Sequence, residues 1–137
     1  MAIPFWVGKY IGIKFAEVGR DRAGVDCWGL VRLIFMEQYD IALPSYCSEY
    51  KRTIESVKIE NIISRESQHW KPINIGEEKF GDVIVMLVRG KPMHVGFVLE
   101  DKTMLHAEMG RNSCIEKYNS VHWEHRISGF YRNDRFI

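Results

Sequence analysis

The chain has 137 residues, the size of one ordinary domain, and 46% of them are apolar, enough for a core that needs neither disulfides nor a metal. The 19 Lys and Arg residues nearly balance the 18 Asp and Glu residues, which argues against a dedicated nucleic-acid binder. The sequence also has no run of about 18 apolar residues, so it predicts no membrane span. We therefore expect one domain over residues 1–137.

The N-terminal segment lacks the charged start and the unbroken apolar run of a secretory signal. We therefore expect the protein to be made in the cytoplasm without a signal peptide. The 3 cysteines cannot all pair within the chain, which favours a reducing compartment during synthesis.

A helix is predicted to begin at Cys27, after about 25 irregular residues. Asp26 is a suitable N-cap, and Pro44 prevents continuation. The apolar residues with helical spacing are Cys27, Leu30, Val31, Ile34 and Phe35. A second, more polar helix is predicted over about residues 49–65, ending before Pro72.

Short β-rich segments separated by turn residues follow in the second half of the chain. The predicted strands are Val83–Val88, Val95–Leu99, Met104–Glu108, Ser113–Tyr118 and Ile127–Arg132. Helices followed by a run of strands indicate an α+β fold with an antiparallel sheet.

Cys27 is a candidate nucleophile because it lies in the first turn of the predicted helix. Free backbone N–H groups and the helix dipole favour a thiolate at this position, and the same N–H groups can hold an oxyanion. From its position alone, a buried core cysteine is an equally good interpretation.

Two histidines lie in consecutive strands and are candidates for the general base and for the residue that orients it. His94 and His106 share one face of the hairpin only if its loop has an odd number of residues, because a one-residue slip moves a side chain to the other face. The relay therefore predicts an odd loop near residues 100–103. Gly96, on the same face as His94, is expected to leave room for the incoming helix end.

A metal site is the alternative interpretation of the 3 cysteines and 5 histidines. His122 and His125 have a ligand-like spacing, but the sequence contains no Cys-x-x-Cys and no His-Glu-x-x-His. We predict no metal, and we interpret His69, His122 and His125 as surface residues.

Four motifs, in order, resemble the NlpC-type cell-wall cysteine peptidases. They are Asp26-Cys27-Trp28-Gly29-Leu30-Val31, Gly81-Asp82-Val83, His94-Val95-Gly96-Phe97-Val98 and Met104-Leu105-His106-Ala107. The resemblance covers nearly the whole chain. Trp28 after the cysteine points to the bacteriophage tail-tip branch, as do Gly19-Arg20-Asp21, Leu43-Pro44-Ser45-Tyr46 and Ile127-Ser128-Gly129-Phe130-Tyr131-Arg132.

The resemblance implies a papain-like core, in which the nucleophile helix packs on an antiparallel sheet of about five to six strands. It implies hydrolysis of peptidoglycan stem peptides at a D-γ-glutamyl-diamino acid bond, without a cofactor. Cys27 would be the nucleophile, His94 the base and then the acid, and His106 the orienting residue; Asp26 and Trp28 are assigned to substrate binding. The expected partners are stem peptides and other phage tail-tip proteins, and the expected location is the virion tail, acting at the host cell wall.

Two positions depart from the family pattern. Phe15 stands where the family often has a tyrosine whose hydroxyl supports the site, and Trp28 replaces the more common serine. Trp28 fits both a role at the substrate and simple packing beside the helix. Two alternatives therefore stay open: a papain-like amidase or transferase with another substrate, and a tail-assembly module whose site is vestigial.

Overall fold

The computed structural model describes residues 3–136. Two α-helices are present among them, together with short 3₁₀ segments at Phe5–Tyr10 and Asp134–Phe136. The helices are α1 (Cys27–Tyr39) and α2 (Ser56–Ser67). Neither has the length and apolarity of a membrane-spanning helix.

The strands form a small hairpin and one large antiparallel sheet. The hairpin consists of β1 (Arg20–Asp21) and β2 (Gly24–Val25). The sheet consists of β3 (Trp70–Ile73), β4 (Val83–Val88), β5 (Lys91–Val98), β6 (Thr103–Glu108), β7 (Arg111–Lys117) and β8 (Ile127–Asn133). Its order is β3-β8-β4-β5-β6-β7. The predicted α+β fold is confirmed.

Helix α1 begins where the sequence predicts it. The Asp26 carboxylate accepts a hydrogen bond from the Gly29 amide, and Asp40 closes the other end with a left-handed backbone, φ 55°. The predicted apolar stripe is buried: Leu30, Val31, Ile34 and Phe35 have no exposed surface. This stripe packs on one face of the sheet and fixes Cys27 at the helix end that meets strand β5.

Helix α2 begins later than predicted, at Ser56 rather than near residue 49. The Glu55 side chain accepts the backbone N–H groups of Lys51 and Arg52, and the Glu17 carboxylate holds Thr53. These bonds satisfy the backbone of residues 51–53 outside a helix, which explains the late start.

Strand β3 was not predicted; Pro72, which was expected only to follow the second helix, lies within it. The neighbour of β3 is β8, and β3 lies at the edge of the sheet, where a proline does not interrupt the ladder. Strand β5 also begins earlier than predicted, since the β4–β5 turn is made by Arg89 and Gly90 alone.

The sheet has two buried faces because side chains alternate along each strand. Val83, Val85, Val95 and Phe97 pack with α1 on one face. The other face has its own apolar cluster, formed by Ile84, Met86, Val98, Met104, Tyr118, Trp123 and Phe130. The C-terminal loop that carries Trp123 therefore covers the face opposite α1.

The β5–β6 hairpin has the odd loop that the relay requires. Phe97 pairs with Leu105, and the Leu99 amide donates to the Thr103 carbonyl, which leaves three loop residues, 100–102. His94 and His106 therefore share one face of the sheet, as predicted. In this register Gly96 lies opposite His106.

Candidate active site

Cys27 is the first residue of α1 and is only partly buried. The Gly29 amide is bound by the Asp26 carboxylate, and the Leu30 amide by the Asp26 carbonyl. The Trp28 amide lies by the Cys27 sulfur, whereas the Cys27 amide has no acceptor among residues 3–136 and is available to a ligand. This placement is the one that an acyl-transfer nucleophile needs.

The amides at the helix start lower the pKa of the Cys27 thiol as predicted, but burial outweighs them. Burial, together with the charge of the buried Asp26 carboxylate, raises the pKa of Cys27 to about 12. The nearby amides of Val95 and Trp28 and the Arg20 guanidinium oppose this rise without cancelling it. At neutral pH the free protein therefore carries a protonated thiol, not a resting thiolate.

His94 and His106 are hydrogen-bonded to each other on the sheet. The distance from His94 Nε2 to His106 Nδ1 is 2.8 Å. His94 is 6% exposed and stacks on Trp123, with ring centroids 5.6 Å apart and planes 14° apart. Burial, together with His106 and the Arg126 and Arg111 guanidinium groups, lowers the pKa of His94 to about 3. His94 is therefore a neutral imidazole at physiological pH.

A β-bulge lies directly before His94. Met86 pairs with His94 while Leu87 pairs with Pro92, so Met93 is an extra residue in β5. Bulges re-aim neighbouring side chains and are common beside active sites. Here the bulge sets the direction in which the His94 side chain points from strand β5.

The thiol and the imidazole meet strand β5 at consecutive residues. Cys27 lies by the Val95 amide, whereas the His94 ring packs on Trp123. Within residues 3–136 no hydrogen bond joins Cys27 to His94. Catalytic hydrogen bonds are often long or poorly aligned without substrate and tighten on binding.

The structure contradicts the prediction that Asp26 binds substrate. Its side chain has no exposed surface, and it accepts hydrogen bonds from Gly29, Arg20, Val18 and the Tyr50 hydroxyl. With its oxygens already bound inside the protein, this carboxylate cannot contact a substrate. Asp26 instead anchors the start of the nucleophile helix.

Trp28 lines a small apolar cavity together with Cys27. The indole nitrogen donates to the Pro44 carbonyl at 2.8 Å, and the ring lies against Tyr46. The cavity has a volume of about 60 Å³ between α1, α2 and the sheet. Trp28 is thus both packed beside the helix and positioned at the wall of a cavity that reaches the nucleophile.

The cavity contains one buried carboxylate. Glu66 is 8% exposed and accepts hydrogen bonds from the Tyr46 hydroxyl at 2.6 Å and the Trp70 indole at 2.8 Å. Isoleucine, valine and aromatic side chains make most of the remaining wall. The cavity suits the aliphatic part of a ligand that ends in a polar group.

Gly96 serves a different purpose from the one predicted. A Cβ atom there would lie 3.2 Å from Ile84 Cγ2, 3.2 Å from Met104 Sδ and 3.4 Å from His106 Cβ, and none of these atoms belongs to α1. The glycine makes room for His106 within the sheet, not for the helix end. The helix approach is set by Gly29, where a Cβ would lie 1.9 Å from the Gly19 carbonyl oxygen.

Three side chains that could together hold a metal lie close to one another on the histidine face of the sheet. The ligand atoms of His106, Cys114 and Glu116 lie within 4.8 Å of one another. Glu116, however, is bound by the Arg111 guanidinium and by His106 itself. The positively charged Arg111 guanidinium already pairs with Glu116, so we interpret the cluster as a hydrogen-bond network.

Glu116 and Trp123 are site residues that the sequence reasoning missed. Glu116 lies on the histidine face because His106 pairs with Cys114 and Met104 with Glu116. The same counting of loop residues that places the two histidines on one face would also have placed Glu116 there, if it had been applied to the β6–β7 hairpin. No comparable local signal marks Trp123, which lies in the loop before β8.

Comparison with known proteins agrees with this architecture. The sequence profile of the NlpC/P60 family matches residues 12–132. The Murein DD-endopeptidase MepS/Murein LD-carboxypeptidase of Escherichia coli strain K12 is 24% identical over 117 residues, which are 85% of this chain and 54% of that protein. The chain thus spans about half the length of this relative.

Solved structures show the same fold. The NlpC/p60 domain of the peptidoglycan hydrolase SagA has a TM-score of 0.65 and 18% identity, covering 90% of each chain. An NlpC/P60 family protein from Bacillus cereus has a TM-score of 0.70 and 20% identity, covering 96% of this chain and 41% of its own. With a family profile that spans most of its residues and this shared fold, the chain belongs to the NlpC/P60 family.

Proposed function

We propose that the protein is a cysteine endopeptidase that cleaves peptidoglycan stem peptides. The observation that carries this proposal is the position of Cys27 at the start of α1, beside the strand whose His94 is hydrogen-bonded to His106 at 2.8 Å. A thiol, a base and a group that orients the base are the parts that nucleophilic acyl transfer requires.

The mechanism begins from neutral groups because the pKa of Cys27 is raised and that of His94 is lowered. With substrate bound, the Cys27 proton passes to His94 Nδ1 while sulfur attacks the peptide carbonyl carbon. The Cys27 amide donates a hydrogen bond to the oxyanion. His94 then gives its proton to the leaving amine, and the C–N bond breaks to leave a thioester.

Hydrolysis of the thioester reverses these roles. His94 Nδ1 takes a proton from water, the hydroxide oxygen attacks the thioester carbonyl, and the departing sulfur recovers the proton. His94 and Cys27 return to their neutral forms. Throughout the cycle the His94 Nε2–H group remains hydrogen-bonded to His106.

Two relatives support the choice of substrate. The Escherichia coli relative is named a murein endopeptidase and carboxypeptidase, and SagA is described as a peptidoglycan hydrolase. For this chain we propose cleavage at the D-γ-glutamyl-diamino acid bond, as the motif resemblance implies. The apolar cavity beside Cys27, with Glu66 in its wall, would receive an aliphatic side chain that carries an amine.

We further propose that the protein acts from a phage or prophage tail, with other tail-tip proteins as partners and the host cell wall as its site of action. The support is the set of branch motifs, two of which meet at the nucleophile helix. Arg20 binds the Asp26 carboxylate and also the Ser45 carbonyl, at 2.8 Å through one guanidinium nitrogen. These motifs thus build one anchor for the catalytic helix.

A tail-assembly module without activity is the second candidate. The protonated thiol and the lack of a Cys27–His94 hydrogen bond within residues 3–136 favour it, together with Phe15 at the position of the family's tyrosine. This candidate predicts an intact fold and no turnover of any stem peptide.

Liquid chromatography with mass spectrometry on defined muropeptides tests the proposal. The wild-type protein should release a fragment that ends in D-glutamate, which identifies the γ-glutamyl bond. Release of a different fragment would keep the hydrolase and change the bond. If no muropeptide is cleaved, the proposed endopeptidase activity is wrong.

A further inference from the structure

Glu116 extends the histidine pair by one residue. His106 Nδ1 lies 2.8 Å from His94 Nε2, and on its other side His106 Nε2 lies 2.9 Å from Glu116 Oε1. His106 is 1% exposed, so both of its ring nitrogens depend on protein partners. Glu116 lies on the neighbouring strand β7, diagonally across from His106.

The carboxylate determines where each proton sits. An ionised carboxylate only accepts hydrogen bonds, so His106 Nε2 must carry a proton. In neutral His106 the Nδ1 atom is then an acceptor, which requires His94 Nε2 to be the donor. His94 Nδ1 is left without a proton, and this is the atom that must receive one from Cys27.

The Glu116 carboxylate offsets positive charges that surround the histidine pair. Arg111 and Arg126 both disfavour a positive charge on His94. Among residues 3–136, Glu116 is the carboxylate that is hydrogen-bonded to the pair. Burial raises its pKa, but the hydrogen bonds from Arg111 and His106 lower it more, so it stays ionised. Glu108 and Cys114 also lie near His106, and His122 packs on the Trp123 ring that stacks on His94.

We propose that Glu116 is a positioning residue: through His106 it fixes His94 in the tautomer whose Nδ1 is free to act as the base. The inference rests on the proposed function and deepens it, by extending the catalytic triad into a chain that ends in a negative charge. When His94 becomes an imidazolium, only His106 separates its positive charge from the Glu116 carboxylate. No proton needs to leave this series of three hydrogen-bonded side chains.

The test is to compare the variants E116Q and E116D with the wild type, using E108Q as the matched control. Glu108 contacts the same Arg111 guanidinium, at 2.9 Å, but makes no hydrogen bond to His106 among the described residues. Long-range ¹H–¹⁵N correlation spectra at pH 7 report which ring nitrogen of each histidine is protonated. Steady-state kinetics on a muropeptide separate kcat from KM.

We expect His106 to be protonated at Nε2 in the wild type, in E108Q and in E116D. In E116Q an amide that both donates and accepts should leave a mixture of tautomers, with kcat lowered by about ten- to a hundredfold and KM little changed. Because the tautomers are read without substrate, they test the inference even if the wild type cleaves no stem peptide.

Three results would overturn the inference. The first is wild-type His106 protonated at Nδ1. The second is an E116Q variant with the tautomers and kcat of the wild type. The third is a change in only one of these two properties, since a residue that acts by fixing the tautomer must change both.

Discussion

Cys27 shows at the scale of a residue why position alone does not set reactivity. The helix start and the free amides around it favour a thiolate, but burial and the adjacent Asp26 carboxylate favour the thiol more strongly. The sequence could place the cysteine at the first turn of α1. It could not show how much water the folded chain removes from the sulfur, because that depends on segments distant in the chain.

Alkylation of the free protein should follow this raised pKa. Iodoacetamide reacts with the thiolate, so at pH 7 we expect Cys27 to react more slowly than the exposed Cys47, which serves as an internal reference. The ratio of the two rates should rise as the pH is increased toward 10. Peptide mass spectrometry after timed quenching measures both rates, and faster reaction of Cys27 at pH 7 would show a resting ion pair instead.

Asp26 should act as a structural residue when it is substituted. Asp26→Asn removes the charge that pairs with the part-buried Arg20 and weakens the helix cap, so we expect the free energy of unfolding to fall by about 3 kcal/mol. Denaturant titration measures the change. Asp21→Asn is the matched control at an exposed position in the adjacent hairpin and should cost less than about 1 kcal/mol. Lost turnover at unchanged stability would restore the substrate-binding role that the sequence suggested.

At the scale of the element, the β5–β6 hairpin was the most predictable part of the site. The spacing of His94 and His106 and the odd loop place both side chains on one face, and the structure confirms this. The bulge at Met93 was not predictable, since it depends on how β4 pairs with both of its neighbours. Strand β3 was missed because its proline is acceptable only at the edge of a sheet, and the strand order was not known.

The buried histidines should make stability depend on pH in a defined window. Burial lowers the pKa of His94 to about 3 and also lowers that of His106, so the unfolded chain binds protons that the folded chain does not. Stability is therefore full above about pH 6.5 and decreases as the pH falls, by up to about 1.4 kcal/mol per pH unit for each histidine.

The measurement is chemical denaturation between pH 7 and pH 5.5, where the carboxylates of the unfolded chain are still mostly ionised. His94→Asn should flatten the dependence, whereas His125→Asn should leave it unchanged, because that side chain is 88% exposed. A wild-type stability that does not change across this window would show that the histidines are hydrated in the folded state.

At the scale of the whole molecule, the site is built from both sides of one sheet. Helix α1 brings Cys27 to one face, and the loop before β8 brings Trp123 to the other, where His94 stacks on it. The motif order was enough to predict the α+β fold and the residues that meet at β5. The Glu116 contact and the Trp123 stacking required the register of strands and loops that close the sheet late in the chain.

The central claim is that Cys27 is the nucleophile of a peptidoglycan hydrolase. Its most direct test is the release of stem-peptide fragments from purified sacculi by Cys27→Ala, with Cys47→Ala as the matched control at an exposed cysteine. We predict that Cys27→Ala releases none while keeping the wild-type circular dichroism spectrum, and that Cys47→Ala matches the wild type. Release by Cys27→Ala at the wild-type rate would contradict the assignment of Cys27.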